Sequence, residues 1–357
     1  MFLRVLLVAR LLREVSFLGV EELVRSPARQ VIGVRRPFGD DALAYFTERL
    51  NPDRLREAAV GVVRKAKRNK AFQESRWIGL AFDGSGVGRS QDKKCKGCCP
   101  IRNKKKEIIG YHHKIVMVSV VGTGLSLPFD VEAYGPGDSE YAGGQRLLRR
   151  AVKNLGIRFA DYAVVDGGFA TAPFLHAAGD MGLRVVARLK ENLPELCQAA
   201  ERRFASEPPD RKFQDNGDWI EIWDADDFDP WDTLRWETVR VIRYRQRKPD
   251  GTVVEAYWLT DWSKSEAGSQ ALYHMAKSRW EIENQGFNDG KNRYGLEHIC
   301  HHNPNSLLIN WLFIALTLTL ERLYRNRYLH RGNHRVLEAR SLVRLLWISL
   351  GKPPDSS

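Results

Sequence analysis

A short segment near residue 280 carries an arginine and a glutamate at a spacing that suits phosphodiester chemistry. Arg279 and Glu283 are four residues apart in the segment 273–291, whose pattern predicts a helix. Residues at this spacing are neighbours on one helix face. A carboxylate can bind a metal ion and a guanidinium can bind a phosphate, so this face could offer both contacts together.

Two aspartates upstream could complete a metal site with Glu283. Asp83 follows the apolar run 77–82, and Asp166 follows the apolar run 162–165, so each acid is predicted where a strand leaves the sheet. For either aspartate alone, a turn residue before glycine is the favoured interpretation. With Glu283 the balance reverses, because carboxylates can hold two divalent cations that activate a water or hydroxyl for phosphoryl transfer.

The elements that would position these acids alternate between strands and helices. This order predicts an α/β fold with a mixed sheet flanked by helices. A glycine-rich loop is expected directly after Phe82. The predicted elements are strands 77–82, 115–121 and 127–134, helix 141–155, strand 162–165, helix 169–181 and strand 184–188.

Regions of different character flank and interrupt this core. Residues 191–260 predict a β-rich insertion, with a hairpin at Pro249-Asp-Gly251. Residues 1–76 predict a helical N-terminal region that is a candidate for DNA contact, and residues 326–357 predict a basic C-terminal tail. A helix at about 307–324 is apolar on nearly all sides, which predicts burial.

The charge of the chain indicates a polyanionic partner. A net charge of +12 favours nucleic acid over an anionic membrane, with simple solubility as the alternative. Basic residues cluster at 64–70 and in a loop at 93–106. The loop is predicted to follow a DNA backbone, the alternative being a solvated charged loop. Its predicted DNA-contacting residues are Lys104, Lys105 and Lys106.

Membrane insertion and a disulfide framework are not predicted. No run of 18 apolar residues lacks a charge, and Arg10 and Arg13 interrupt the apolar start, which favours an amphipathic helix over a signal peptide. Five cysteines without regular spacing favour a reducing, cytoplasmic setting.

A weaker pattern of cysteines and histidines could bind zinc tetrahedrally. A second closely spaced pair is missing, although Cys-His-His occurs far downstream at 300–302. The favoured interpretation places the histidine pair at the start of the strand 115–121. The pattern consists of Cys95, Cys98, Cys99, His112 and His113.

The chain resembles the DDE transposases of bacterial insertion sequences, in the group with a Tyr-x2-Arg-x3-Glu-x6-Lys signature. The resemblance covers about residues 77–325 and rests on Phe82-Asp83-Gly84, Val-Val-Asp166-Gly-Gly and Arg279-Trp-Glu-Ile-Glu283. It implies an RNase H-like core in which Asp83, Asp166 and Glu283 bind two Mg²⁺ (or Mn²⁺) ions and Arg279 contacts DNA. It also implies double-stranded DNA as partner, at element ends and target, and a homodimer in a synaptic complex.

The signature departs from the family pattern on both sides of Glu283. Ala276 occupies the tyrosine position, and Tyr273, one turn earlier, is the remaining candidate for that DNA contact. Gly290 occupies the lysine position, so Lys291 is one place late and lies about 80° around a regular helix from Glu283. Asn-Asp-Gly290 could also end the helix, and Lys291 could then still contact a DNA phosphate from a loop.

Two further residues of the segment have alternative interpretations. Glu281 competes with Glu283 as the third acid, but the spacing from Arg279 favours Glu283. Core packing is favoured for Trp280, and the alternative is a platform for an unstacked DNA base.

Three functions are compatible with these residues. The leading hypothesis is a transposase that cuts DNA at element ends and transfers the strands into target DNA. The alternatives are a catalytically silent DNA-binding derivative and a metal-dependent nuclease without strand transfer.

Overall fold

The computed structural model describes residues 1–72, 75–93, 95–329 and 339–351, and within them ten strands form one mixed sheet. Helices pack against this sheet, which confirms the predicted α/β fold class. The strands are β1 Gly79–Ser90, β2 Cys99–Arg102, β3 Ile108–Val121, β4 Leu127–Tyr134, β5 Tyr162–Val165, β6 Arg184–Leu189, β7 Arg211–Asp215, β8 Asp218–Phe228, β9 Val239–Arg247 and β10 Val253–Thr260.

The helices precede, interrupt and follow the strands. A 3-10 turn at Gly167–Phe169 follows β5, and π-helical segments occupy Ile282–Asn288 and Arg325–Leu329. The α-helices are α1 Phe2–Leu11, α2 Phe17–Arg25, α3 Ala28–Ile32, α4 Asp40–Arg49, α5 Pro52–Arg68, α6 Glu140–Leu155, α7 Ala172–Asp180, α8 Pro194–Ser206, α9 Ser269–Glu281, α10 Asp289–Tyr294, α11 Pro304–Tyr324 and α12 Ala339–Gly351.

The strand order joins the predicted core and the predicted insertion. The central order is β4–β3–β1–β5–β6, with β3 antiparallel to β1 and with β5 and β6 parallel to it. Strands β10, β9, β8 and β7 continue the sheet beyond β6 in antiparallel fashion. The β-rich segment is therefore an extension of the main sheet. Its hairpin turns between β9 and β10, where Gly251 has a φ of 85°.

Strand β1 is longer than predicted. The expected loop after Phe82 is wrong, because β1 continues to Ser90 with β3 as its partner. Glycine fits in this strand because a neighbouring helix approaches closely: a Cβ on Gly84 would lie 2.3 Å from the carboxyl carbon of Glu140. Asp83 therefore lies within β1, at the point where the pairing of β1 with β5 stops.

Helix α11 is a buried core helix, as predicted. It packs against β4 and against α1, α4 and α5. By length and composition the segment Pro304–Tyr328 could cross a membrane, but 83% of its most apolar window is buried inside the protein. An all-round apolar helix is what burial in a protein core requires.

The N-terminal helices share the hydrophobic core of the sheet. Val5 and Val63 are fully buried within the same apolar cluster as the strands. An ion pair adds to this contact, because Arg56 on α5 lies 2.9 Å from Asp130 on β4. Most of the basic residues at 64–70 are exposed, and a DNA contact there stays a prediction.

The predicted C-terminal tail contains a helix. Helix α12 contacts α3 and leaves large apolar side chains exposed, among them Trp347 and Ile348. Residues 330–338 and 352–357 of this tail lie outside the described part of the chain.

Candidate active site

The register of β1 and β5 makes two of the predicted acids neighbours. Phe82 pairs with Val165 in this parallel pair. The next residue is Asp83 on β1 and Asp166 after β5, and neighbouring strands lie about 4.8 Å apart. Asp166 also caps the turn that follows it, since its Oδ1 accepts a hydrogen bond from the Gly168 amide at 2.5 Å.

The Asp83 carboxyl is mostly buried and lies near two other carboxylates and one arginine. Its side chain is only 17% exposed. Burial above all, with the charges of Asp166 and Glu140, raises the pKa of Asp83 to about 6 against the opposing charge of Arg279. A desolvated carboxylate among other carboxylates is a setting in which a bound cation is strongly favoured.

Helix α9 and the π-helical segment after it bring the third acid to the same place. Arg279 Nη1 lies 3.4 Å from Asp83 Oδ2, and its Nη2 lies 3.1 Å from Glu283 Oε2. The Arg279 side chain is 13% exposed and that of Glu283 is 48% exposed. One guanidinium therefore links the acid on β1 to the acid on the helix.

The competing acid, Glu281, points to another place. Its Oε2 accepts a hydrogen bond from the Gly122 amide at 3.2 Å, in the turn between β3 and β4. That turn lies at the opposite end of β1, where Gly79 pairs with Val121. Burial raises the pKa of Glu281 to about 7. The geometry thus separates Glu281 from the two aspartates.

The donor set suits hard divalent cations, which prefer oxygen ligands. Lys190 Nζ lies 3.2 Å from Asp166 Oδ2, so cationic side chains already partner all three acids. In the described part of the chain, the oxygens of these acids are not gathered within 4.8 Å of one another, since Arg279 lies between Asp83 and Glu283. The residues fit divalent ions by donor type and by charge.

The helix that carries Glu283 continues beyond Asn-Asp-Gly290. The predicted end at this position is wrong: α10 follows the π-helical segment directly, and the αL residue that ends the helix is Gly295, with φ of 66°. Hydrogen bonds of a π-helix join residues i and i+5, so each π turn accommodates one more residue than an α turn.

The π-helical segment accounts for the late position of Lys291. One additional residue between Glu283 and Lys291 is absorbed by the wider π turn, so the lysine returns to the face that meets β1. Its Nζ donates to the Gly86 carbonyl of β1 at 3.0 Å and lies 3.0 Å from Glu297 Oε1. The regular-helix expectation of about 80° does not apply to such a segment.

A comparison with protein families decides the assignment. A family model described as the transposase DDE domain matches residues 76–320. The chain belongs to this family. The predicted membership of the DDE transposases is confirmed, and transposases of this kind generally depend on divalent metal ions. The insertion-sequence origin stays a prediction.

Comparisons with individual proteins give a similar solved structure. No curated protein matches the chain. Among solved structures, the cryo-EM structure titled piggyBac transposase synaptic complex with hairpin DNA matches with a TM-score of 0.44 and 15% sequence identity. The match covers 76% of this chain and 52% of that chain, so the chain spans about half the length of the matched chain.

The structure leaves Tyr273 inaccessible for the predicted DNA contact. Tyr273 is 1% exposed, and its ring packs edge-on against Phe213 and Tyr244. Its hydroxyl donates to Asp215 Oδ2 at 3.3 Å. The β-rich extension covers this turn of α9 in the DDE domain, a long-range contact that helix spacing alone does not contain. Ala276, at the tyrosine position of the signature, is also buried.

Trp280 lies between the core and the surface of the DDE domain. Its partly buried ring packs edge-on against Trp258 at 5.8 Å, in line with the favoured packing interpretation. Lys277 Nζ lies 5.1 Å from the centre of the same ring. A contact with a DNA base stays a prediction.

The predicted basic loop at 93–106 contains strand β2, and its last residues form the tip of the β2–β3 hairpin. Lys104, Lys105 and Lys106 are exposed there. Asn103 closes the turn, since its amide donates to the Glu107 carbonyl at 3.0 Å. Lys94, which belongs to the same predicted loop, lies outside the described residues.

Sequence reasoning missed two cations beside the acids. Val165 pairs with Ala187 in the parallel pair β5 and β6, so Arg188 is the neighbour of Asp166. Lys190 follows β6 and reaches the same aspartate. The predicted strand 184–188 contained the signal that was missed. Carboxyl ends of neighbouring parallel strands meet at one edge of a sheet, so cations at the end of this strand could have been placed beside Asp166.

A fourth carboxylate also lies beside the site. Glu140 begins α6 and approaches β1 at Gly84. Its carboxylate accepts a hydrogen bond from the Tyr134 hydroxyl at 3.2 Å. Burial and the charge of Asp166 raise the pKa of Glu140. The pattern of acids after apolar runs could not reveal it, because it follows a loop rather than a strand.

Proposed function

We propose that this protein is a DNA transposase that cuts DNA at the ends of its element and joins those ends to target DNA. One observation carries the proposal: Asp83 and Glu283 share one arginine, and Asp166 is the neighbour of Asp83 across β1 and β5, so three separate elements bring the acids together. Membership of the transposase DDE domain family supports it.

We further propose that Asp83, Asp166 and Glu283 hold Mg²⁺ or Mn²⁺. When bound, such ions activate the attacking oxygen and stabilise the leaving oxygen of an in-line phosphoryl displacement. The chain supplies oxygen donors of the right type, one of them desolvated and close to two other carboxylates. Carboxamide replacements would keep the shape of these donors but remove the negative charge.

Both reactions exchange one phosphorus–oxygen bond for another. In cleavage, the oxygen of water bonds to phosphorus, the bond from phosphorus to the 3′-oxygen breaks, and the 3′-oxygen leaves with a proton as a hydroxyl. In strand transfer, that 3′-oxygen bonds to a target phosphorus, and the target 3′-oxygen leaves as a hydroxyl. One set of acids can therefore serve both steps.

The cations of the site hold and orient the DNA backbone. Arg279 has five N–H donors and uses only some of them on Asp83 and Glu283, so others can contact a phosphate oxygen. Lys190 lies beside Asp166 and Lys291 lies beside Gly86 of β1, so both can contact adjacent phosphates. These charges offset the repulsion between acids and DNA.

Two DNA ends and a target must be held together, so we propose a homodimer in a synaptic complex. The net charge of +12 supports double-stranded DNA as the partner of each protomer. We propose the cytoplasm as its location, as the cysteine usage suggests.

The test is a reaction of the purified full chain with Mg²⁺ and labelled DNA that carries the ends of its element. Nicking at the ends, followed by transfer of the labelled 3′-end into a plasmid, is expected. Binding without cutting would instead identify a catalytically silent derivative. Cutting without transfer would identify a nuclease.

The exposed lysines of the β2–β3 hairpin lead to a separate prediction. Replacing Lys104, Lys105 and Lys106 with Ala should weaken DNA binding at all sequences. The slope of log K against log salt should fall by about 0.9 for each phosphate that these lysines no longer neutralise. Titrations by fluorescence anisotropy at several salt concentrations measure this slope.

A charge-matched control separates a hairpin contact from a general effect of net charge. Lys153, Arg202 and Arg211 are also exposed but lie on α6, α8 and β7. Their triple Ala variant loses the same three charges and should keep the wild-type slope. Equal slopes for the two variants would exclude a specific role for the hairpin.

A further inference from the structure

A cluster of two thiols and one imidazole lies outside the acidic site. Cys95 and Cys98 lie in the connection between β1 and β2, and His113 lies on β3, where it pairs with Val87 of β1. Among the described residues, theirs is the one group of three potential ligands whose atoms all lie within 4.8 Å of one another. The fold thus unites residues that the sequence separates.

The spacing of the three ligand atoms matches the edges of a zinc tetrahedron. The two sulfurs are 3.6 Å apart, and they lie 3.7 and 3.8 Å from Nε2 of His113. With Zn–S bonds of about 2.3 Å and a Zn–N bond of about 2.0–2.1 Å, tetrahedral angles give about 3.8 Å between sulfurs and about 3.5 Å from sulfur to nitrogen. The observed distances differ from these by only a few tenths of an ångström.

A disulfide does not explain the cluster. The two sulfurs are 3.6 Å apart, whereas a disulfide bond is about 2.05 Å long. A redox pair also needs no third ligand, yet Nε2 of His113 faces both sulfurs. Cys98 and His113 are buried, which suits a structural metal more than an accessible redox centre.

The adjacent residues Cys99 and His112 are excluded from the cluster. Cys99 pairs with His112 across β2 and β3, and its Sγ faces the Gly97 carbonyl at 3.9 Å. His112 projects from the other face of β3, since successive side chains of a strand alternate. A Cβ on Gly86 would lie 2.2 Å from its Nδ1, on that other face.

We propose that Cys95, Cys98 and His113 bind a structural zinc ion and supply three of its tetrahedral ligands. The His113 ring packs against Trp311 of α11 at 5.9 Å, so the site lies where the base of the β2–β3 hairpin meets this core helix.

The site would fasten the base of the basic hairpin to the catalytic sheet. Cys98 directly precedes β2, and the β2–β3 hairpin extends from there to Lys104, Lys105 and Lys106. Zinc ligation contributes folding free energy directly. Its removal should therefore loosen this hairpin while the acids on β1 and after β5 keep their places.

The first experiment measures zinc in the purified full chain by mass spectrometry, without DNA. About one zinc ion per chain is expected. Cys95→Ser, Cys98→Ser and His113→Ala should each lose it. Cys99→Ser and Cys197→Ser remove thiols of similar exposure outside the cluster, and these variants should keep the zinc ion. The proposal would be overturned if wild-type protein prepared in zinc-containing buffer held no zinc and its two thiols oxidised to a disulfide instead.

A second measurement covers variants that fail to fold. Co²⁺ added to metal-free wild-type protein should give the absorption of a tetrahedral site with thiolate charge-transfer bands. An octahedral spectrum without those bands would contradict the proposal.

Zinc binding and the proposed transposase activity can fail separately. Asp83→Asn and Glu283→Gln remove acids of the candidate active site, and both variants should keep the zinc ion. Zinc that disappears in these variants would belong to the acidic site instead.

Discussion

Glu283→Gln is expected to reduce DNA cleavage by at least about a hundredfold while DNA binding persists, a loss typical of removing one transition-state stabilising group. Glutamine preserves the size of the side chain and the helix around it. It removes the negative charge that a divalent cation needs. Because Glu283 is 48% exposed, the replacement should not disturb the core.

The two aspartates should show the same loss as Glu283. Asp83→Asn and Asp166→Asn each remove one charge from the same set of donors. Residues that act as one unit are strongly non-additive, so a double variant should be little worse than a single one. Cleavage is measured as single-turnover nicking of labelled element ends in Mg²⁺, and binding is measured by anisotropy in Ca²⁺.

Glu281→Gln is the matched control for Glu283→Gln. It makes the same chemical change two residues earlier, at a carboxyl that accepts a hydrogen bond from Gly122. This variant should cut DNA at close to the wild-type rate. If Glu281→Gln abolishes cutting and Glu283→Gln does not, the assignment of the third acid is wrong.

The adjacency of two acids was predictable because it depends on local patterns. The apolar runs before Asp83 and Asp166 indicate strands, and parallel neighbours bring the ends of such runs together. The four-residue spacing of Arg279 and Glu283 needs only one helix turn. Both features are present in the structure, although Asp83 lies within a longer strand than expected.

Long-range packing explains what local patterns could not show. The glycines after Asp83 suggest a loop, but they belong to a strand that pairs with β3, with an irregularity in register after Val87. Tyr273 has the spacing for a surface contact, but β7 and β9 provide the aromatic neighbours that bury it. Such contacts join residues far apart in sequence, so the secondary-structure propensity of a short segment does not reveal them.

The π-helical segment shows a different limit of sequence reasoning. Regular α geometry moves Lys291 away from Glu283, whereas one wider turn keeps both on the side of β1. A single residue inserted into a helix can be absorbed in this way. Lys291 therefore lies beside β1, and its role in contacting DNA stays a prediction.

Asp130→Ala is expected to lower the free energy of unfolding by about 3–5 kcal/mol, the usual cost of breaking a buried ion pair at one partner. Asp130 is 1% exposed and lies 2.9 Å from Arg56 Nε and 2.7 Å from Arg150 Nε. Its loss leaves the Arg56 guanidinium, 8% exposed, with the solvent-exposed Asp53 as its closest acid.

Glu57→Ala, on the helix α5 that also carries Arg56, is the control for Asp130→Ala. Glu57 pairs with Arg54 at 3.3 Å, with side chains 62% and 77% exposed, and such pairs contribute about 0.2–1 kcal/mol at most. Urea denaturation followed by tryptophan fluorescence gives both free energies, provided that the slope against urea is unchanged. Equal losses in the two variants would show that the buried pair adds nothing net.

The Asp130 variant also tests how the N-terminal helices relate to the catalytic sheet. Arg56 belongs to α5, Asp130 to β4 and Arg150 to α6, so the carboxylate joins the N-terminal region to two elements of the DDE domain. Since all three share one hydrophobic core, the whole chain should lose stability together. Limited proteolysis of the variant should therefore cleave both regions at similar rates. Selective release of residues before 69 would instead show that this region folds on the sheet as a separable unit.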